Sequence, residues 1–445
     1  MAGLALNAVL YWRYITPTPK LLVGDETYYT VLAAALASGR QPEQDPFWPP
    51  LYGRALGALA VHSTSGLKLA QAAQVALWLT SAVLLYGIAR RVTGDEAVAL
   101  AAAALFAWSP ETAAFSHYFW PEILHLSLLL LAFWLMMTFP GAAAAAVGAG
   151  SALALALATK SLLLGFLPPL LLINLLVLRT ALGRRLAVRQ TALLVGGLAL
   201  GVVVVVAAIP GARWSPWGSG SAVFNAWVGL NDRSDVDYRD VIVASELEAY
   251  RQSGADEASR RSATLRKIGD LLAEEGPVAV LVRQARRQYL RLFDFRTFLL
   301  TQLPGGPRQA YAGEPGPLDQ LLAGWAIAIY VATLVGGAAG LGLIRAKPVG
   351  WRHLVLAFIL YNLALFLVLH TKTRYMIQLL PMFAVFAGAV LVLAVRAVGA
   401  RSHPIAGFSL GRGHVILAVA LGVLVTVLVL RGLPGALDAP FVWQS

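Results

Sequence analysis

The chain of 445 residues is 58% hydrophobic and only 13% charged, against about 25% charged in soluble globular domains, so it reads as an integral membrane protein. Its formal net charge of +12 would suggest nucleic acid in a soluble protein, but here the basic residues follow the positive-inside pattern and no nucleic-acid partner is expected. With no cysteine, disulfides, thiolate metal sites and cysteine nucleophiles are excluded.

In chain order, apolar runs predict helices near 1–16, 67–90, 96–109, 121–139, 142–159, 161–179, 190–209, 319–344, 353–370, 374–396 and 414–431. The expectation is an all-α polytopic protein with about 11 transmembrane helices, since a bilayer core of about 30 Å takes roughly 20 apolar residues and lipid offers the backbone no partners. Residues 1–15 read as a first membrane helix rather than a signal peptide, because a basic start and a small-residue cleavage pattern are missing. If the N-terminus is cytoplasmic, the short inner loops carry Arg90 and Arg91, then Arg179, Arg184, Arg185 and Arg189, then Arg345, Lys347 and Arg352, then Arg396, Arg401 and Arg412. The short outer loops hold Lys160, Lys372 and Arg374 as exceptions. That asymmetry sets the orientation.

Three parts follow: an N-terminal membrane module, 1–209, whose first external loop is 17–66; an external region, 210–318; and C-terminal membrane helices, 319–445. The external region predicts amphipathic helices over 243–275 and 278–295. In the second, Val278, Leu281, Val282, Ala285, Tyr289, Leu292 and Phe293 form one stripe while Arg283, Arg286, Arg287 and Arg291 lie elsewhere, which suits the membrane surface, a lid, or an ordinary helix with a solvated basic face.

The first external loop opens on GDETYY, residues 24–29, with adjacent carboxylates Asp25 and Glu26. Such a pair can cap the helix that follows, hold a cation, or remove a proton from a hydroxyl. Lys160 stands in ATKSLLLGF, and Lys372, Arg374 and Tyr375 in HTKTRYMIQLLP. Ionisable groups between apolar spans are candidate site residues, against the alternatives of a snorkelling lysine and a solvated turn. In HYFWPEILHL, Glu122 and His125 lie about one turn apart, with His117 ahead; without an H-E-x-x-H pattern no metal site is expected, and a supporting or capping role suits Glu122. Trp48 and Tyr52 in PFWPPLYGR, and Trp227, could stack on a sugar or sit in the interfacial aromatic belt.

A base and several cations at one membrane face fit transfer of a sugar from a lipid-phosphate carrier. Lysine and arginine stabilise the leaving phosphate, a carboxylate deprotonates the acceptor hydroxyl, and such a single displacement inverts the anomeric centre.

GDETYY, PFWPPLYG, WPEILHL, LATKSLLLGFLPPLLL and TKTRYMIQLLPMFAVFAG resemble, in order, landmarks of the GT-C superfamily of membrane glycosyltransferases. They are most similar to the polyprenyl-phosphate-sugar users: protein O-mannosyltransferases and lipid A aminoarabinose transferases. The resemblance covers the chain to about residue 180 and the RYMIQLLP segment; 210–318 matches nothing. It implies a GT-C-like fold, a hexosyl- or pentosyltransferase, Asp25 as catalytic base with Glu26 beside it, and Lys160, Lys372, Arg374 and Tyr375 near the donor phosphate. Trp48, Tyr52, His117, Glu122 and His125 would support the site or face the acceptor. Some subfamilies with two separated acidic residues in this loop coordinate a divalent metal, and the DE spelling argues against a required one. The expected partners are a polyprenyl-phosphate-linked sugar, a lipid, glycan or protein acceptor, and the bilayer; the expected place is a prokaryotic cytoplasmic membrane, with the site on its external side. The rival reading is a secondary transporter or flippase of a lipid-linked sugar, for which ionisable groups at the midplane and internal repeats would be expected; neither is visible in the sequence.

Overall fold

The computed structural model describes residues 2–10, 25–40, 49–61, 63–208, 220–232, 240–304, 315–398 and 404–430. Among them the regular structure is helical: α1 (Ala2–Leu10), α2 (Glu26–Ala37), α3 (Leu51–Ala58), α4 (Thr64–Thr93), α5 (Glu96–Ala107), α6 (Pro110–Phe115), α7 (Glu122–Thr138), α8 (Ala143–Thr159), α9 (Leu167–Leu182) and α10 (Arg184–Ala208). There follow α11 (Gly220–Leu230), α12 (Asp240–Gln252), α13 (Glu257–Glu275), α14 (Pro277–Leu292), α15 (Phe298–Gln302), α16 (Pro317–Gly342), α17 (Trp351–Leu365), α18 (Leu380–Val398) and α19 (Arg412–Leu430).

The protein is a multi-pass membrane protein. Six helical segments, 64–93, 161–182, 184–208, 317–342, 380–398 and 412–430, are long and apolar enough to cross a bilayer, and α5, α7, α8 and α17 are shorter apolar helices. These elements fall where the hydropathy pattern expects them. The boundaries have local causes. Ser63 caps α4 by accepting from Gly66 N at 3.0 Å, and Gly94 ends it in the left-handed conformation, φ +67°, with its N–H returned to the Arg90 carbonyl. Asp95 then caps α5 by accepting from Ala97 N and Val98 N.

Without a hydrophobic drive inside lipid, close packing has to hold the helices together. The run from 142 to 150 serves this in α8, where a Cβ on Gly150 would come within 2.0 Å of the Leu194 carbonyl oxygen of α10. Larger side chains fill the centre. Phe133, Phe166 and Phe358, all fully buried, meet ring to ring at 5.2 to 6.4 Å.

Because successive spans alternate in direction, the starts of α7, α9 and α18 and the ends of α8 and α17 share one end of the bundle. The loops rich in arginine share the other.

The external region departs in detail from its sequence reading. Where one helix-like stretch was expected over 243–275 there are two, α12 and α13, separated at a capping box on Asp256 and Ser259. In α14 the buried positions are Val280, Gln284, Gln288 and Leu292; of the expected stripe Leu292 and Phe293 are buried, while Val278, Leu281 and Val282 are exposed. The physical reason is that α14 packs through hydrogen bonds as much as through apolar contact. Gln284 Nε2 donates to the Leu230 carbonyl at 3.2 Å, and Gln288 Oε1 accepts from Thr371 N at 3.1 Å.

Candidate active site

A cavity of about 360 Å³ opens at the end of the bundle shared by α7, α8 and α17, with Asp25, Glu122, Lys160, Arg261, His370, Arg374 and Tyr375 on its wall. Each charged group arrives by a distinct device. Asp25 ends the turn before α2. Lys160 sits where α8 stops and a tight 3-10 turn, Ser161–Phe166, leads to α9; its backbone is extended, φ −150° and ψ 125°. Arg374 belongs to a second 3-10 turn, Thr373–Gln378, that leads to α18. Two helix ends and two irregular turns thus bring side chains together that a regular span would send into lipid.

Arg374 Nη2 donates to Asp25 Oδ2 at 2.7 Å, across 349 residues of sequence. Lys160 Nζ donates to Glu122 Oε1 at 3.0 Å, and Arg374 Nε stands 4.0 Å from that same oxygen. The four charges therefore run in a chain: Asp25, Arg374, Glu122, Lys160. Aromatic rings brace the cations, with the Arg374 guanidinium 4.7 Å from the Trp120 ring centre and the Lys160 ammonium 5.2 Å from that of Tyr375. Tyr375 in turn stacks on Phe366 at 5.7 Å with planes 8° apart. Cation–π contacts of this kind strengthen where water is excluded.

The Asp25 side chain is 35% exposed, the least enclosed member of the chain. Burial disfavours its charge, but Arg374, Lys372 and Lys160 outweigh burial and hold its carboxyl below the usual carboxylate range. Although Asp25 occupies the position before α2, its side chain makes no capping hydrogen bond, so the capping alternative is not what the carboxylate does. The other two bland alternatives fare alike: Lys160 pairs inward instead of snorkelling, and the Arg374 side chain, 12% exposed, is not on a solvated turn.

Not every expected site residue reaches the cavity. Glu26 is fully buried and accepts from Phe119 N at 2.6 Å, so it ties α2 to the segment before α7 while its neighbour faces the opening. Tyr52 does not line the wall: its hydroxyl donates to Gln74 Oε1 at 2.8 Å and its ring packs edge-on against Tyr29. His125 faces the Ala156 carbonyl, 3.0 Å from Nδ1, and His117 is buried outside the lining. Lys372 does not line the wall, but its charge acts on Asp25. Trp227 is likewise drawn away, donating to Glu246 Oε2 at 2.8 Å with Lys267 over its ring. Trp48 lies outside the described residues.

Other wall residues carry no sequence signal. Tyr29, Ser221, Asn225, Arg261 and Tyr361 come from α2, α11, α13 and α17. Tyr29, one turn after Asp25, could have been found by helical spacing; Arg261 and the α11 residues could not, because only the folded external region carries them there. That region is fastened to the Arg374 turn. Asn225 O accepts from His370 N at 3.0 Å, Thr371 Oγ1 donates to Gln288 Oε1 at 2.5 Å, and Gln288 Nε2 reaches Gln284 Oε1 at 2.8 Å. Arg287 and Arg291 hold Asp232 on the same helix face. A Cβ on Gly229 would come within 2.4 Å of the Val368 carbonyl oxygen, so only glycine permits this approach.

Among the described residues no group of three or more His, Asp or Glu gathers to hold a metal. Among the described residues the two carboxylates on the cavity wall each face a cation.

Residues 55–209 match the model of a family described as dolichyl-phosphate-mannose-protein mannosyltransferase. No curated protein matches the chain in sequence. Among solved structures, the oligosaccharyltransferase of Archaeoglobus fulgidus in its apo form is similar over 97% of this chain and 54% of its own, with 15% identity and a TM-score of 0.51. The same archaeal protein, AglB, in complex with an inhibitory peptide and a dolichol-phosphate aligns with a TM-score of 0.49 at 14% identity, over 97% of this chain and 54% of that one. ArnT from Cupriavidus metallidurans bound to undecaprenyl phosphate aligns at 17% identity and a TM-score of 0.34, over 89% of this chain and 78% of its own. The chain spans about half the length of the archaeal structures it matches.

Proposed function

We propose, from a fold like that of the archaeal oligosaccharyltransferase and a partial match to the mannosyltransferase family, that this chain is an inverting glycosyltransferase of the GT-C superfamily. It would move a sugar from a polyprenyl-phosphate carrier to an acceptor hydroxyl on the external face of a prokaryotic cytoplasmic membrane. The observation that carries this reading is a carboxylate held below its usual range and two cations, Lys160 and Arg374, on the wall of one cavity at an end of the helix bundle. The family description, whose match includes Glu122 and Lys160, names a phosphate-linked sugar as donor, which supports the same chemistry.

In this mechanism the acceptor oxygen attacks the anomeric carbon while Asp25 takes its proton. The bond from that carbon to the carrier phosphate breaks, and the electron pair leaves with the phosphate. Arg374 and Lys160 receive the charge that develops there. The phosphate competes with Asp25 for Arg374, so as the guanidinium turns towards it the carboxylate loses its partner and becomes a better base when the donor is in place. Leu162, Leu365 and Leu369 give the wall apolar residues suited to the first units of a polyprenyl chain, and α11 and α13 add Ser221, Asn225 and Arg261 to it, an enclosure that would help to keep out water as a competing acceptor.

The test is sugar transfer by purified protein in detergent with a polyprenyl-phosphate sugar donor. Asp25→Asn should cut transfer by about 10²- to 10⁴-fold while leaving binding of the carrier phosphate intact. Retention of most turnover would overturn the assignment of the base. Uptake of a lipid-linked sugar across liposomes without transfer would favour the transporter reading instead.

A further inference from the structure

We infer that the first half of α14 is seated in the bilayer at the cavity end of the bundle, with Val278, Leu281 and Val282 among the lipid chains and Arg286 at the level of the phosphates. This surface is independent of the sugar-transfer reading. The helix opens on an apolar run, Pro277 to Val282, of which Val280 alone is buried. Val278 is 73% exposed, Leu281 43% and Val282 48%. Single apolar side chains scattered over a surface need no explanation, but a run of them gathered at one end of a helix marks a partner. The chemistry of that partner follows from where the helix lies.

Two hydrogen bonds gauge its depth. Tyr289, in the second half of α14, donates to the Leu363 carbonyl at 2.9 Å, and Tyr330 of α16 donates to the Leu292 carbonyl at 3.3 Å. At about 1.5 Å per residue, Leu363 stands about 18 Å along α17 from its start at Trp351, and Tyr330 about 18 Å along α16 from its end at Gly342. Those two helix ends flank the loop of Arg345 and Arg352 at the far end of the bundle. With the reach of a tyrosine side chain added, α14 lies within or at the edge of a hydrocarbon core of about 30 Å, not beyond it. Its first half keeps the same level, because Val280 clusters with Leu230 and Leu271 against Val368, in the turn after α17, and Gln288 meets Thr371 of that turn. The helix therefore runs along the boundary.

Its apolar stripe faces inward. The last carbonyls of α17 point towards the cavity end, so Tyr289 reaches Leu363 from that end, towards the middle of the bilayer. Val278, Val282 and Ala285 stand about three, two and one turns before Tyr289 and share its side of the helix. Leu292 and Phe293, at the far end of the stripe, are buried, whereas its first half is exposed. Arg286 is exposed at the flank, while Arg283 is taken by Glu275, and Arg287 and Arg291 by Asp232. An apolar stripe flanked by arginine and lying in the boundary plane is the pattern of an interfacial helix, and an anionic headgroup is the complement that Arg286 meets there. A soluble partner could reach this stripe only by displacing lipid.

The chain has no cysteine, so the single substitutions Val278→Cys, Val282→Cys and Ser262→Cys, the last on the exposed side of α13, can each carry one fluorophore in the whole chain. In vesicles of phosphatidylethanolamine and phosphatidylglycerol, nitroxide on the lipid acyl chains should quench the labels at 278 and 282 about three times as strongly as the label at 262. Iodide in the water should show the reverse order. Leu281→Cys, in the same exposed run, takes the place of either variant whose thermal unfolding shows that it has not folded. Equal quenching at the three positions, or stronger quenching by iodide at 278 and 282, would overturn the inference, because the run would then be no nearer to lipid than the exposed side of α13. Weak quenching by both agents would show protein over the run, another segment or a second copy of the chain, and would overturn it too. Sugar transfer enters none of these readings, so their failure leaves that proposal standing.

Discussion

The two ends of the bundle carry charges of similar kind and treat them in opposite ways. At the cavity end the ions are enclosed and joined across long stretches of sequence, Asp25 to Arg374 and Glu122 to Lys160. At the other end Arg396 meets Asp95 at 2.7 Å where one helix stops and another starts, and Arg352 satisfies itself on the Arg345 and Pro348 carbonyls. Those arginines stand in the short loops that the sequence reading expects on the inner side, and their partners are backbone carbonyls and one helix-capping carboxylate. Enclosure distinguishes the two ends: a charge removed from water costs free energy unless it is paired, and its field then acts at full strength on whatever enters.

The largest expected effect lies at the cavity end. Asp25→Asn should cut the rate of sugar transfer by about 10²- to 10⁴-fold, as removal of a general base does, measured as turnover at saturating donor. Next, Arg374→Met or Lys160→Met should each lower turnover by about 10²- to 10³-fold, in the range found for a lost oxyanion donor.

Arg374→Met should also leave a signature in the pH profile of kcat/KM. The arginine holds Asp25 below its ordinary range, so the base stays charged to lower pH than a free carboxylate, and its loss should move the acid limb of that profile upward. The sign for stability is the same: the folded-state carboxyl binds its proton less readily than the unfolded one, so the pair stabilises the fold above the unfolded value and that stabilisation is lost as pH falls through the folded value. An acid limb that stays in place in the variant would separate Arg374 from Asp25 function.

A smaller effect is expected at the seam between the external region and the cavity. Gln288→Ala removes both hydrogen bonds to Thr371 and leaves buried groups unmet, at a cost of about 1–3 kcal/mol. Thermal unfolding should register it, and turnover should fall with little change in KM for the donor, because the turn that carries Arg374 loosens. The smallest effect is reserved for the far end. Asp95→Asn keeps the cap on α5 and breaks the ion pair with Arg396; with both side chains partly exposed it should cost at most about 1 kcal/mol and leave turnover unchanged. A large loss of activity there would erase the contrast between the ends.

Much of the fold was legible because a membrane forces its own grammar on a sequence. Apolar runs of the right length had to be helices, and the arginines of the loops gave their order of crossing. The site was legible where charge broke that grammar, at Asp25, Lys160 and Arg374. Side chains whose polarity is ordinary for a loop gave no such break. Tyr52 and Glu26 stand in the same motifs as the cavity residues, yet one turn of a helix or a single step of sequence sends them into buried hydrogen bonds. Arg261 and Asn225 belong to a region whose composition is that of any soluble helical segment, and only its docking on the turn after α17 brings them to the wall. The stripe on α14 misled for a related reason: two glutamines, polar by composition, form its buried face because partners wait for them at Leu230 and Thr371.

The ion pair between Asp25 and Arg374 has a consequence for biosynthesis. The first partner is made near the start of the chain and the second 349 residues later, so a nascent protein already made as far as α10 carries Asp25 without the arginine it pairs with. Arg374 emerges only ahead of α18. The cavity is completed by one of the last segments to be made, and a chain arrested short of it holds Asp25 and Lys160 with no assembled centre between them.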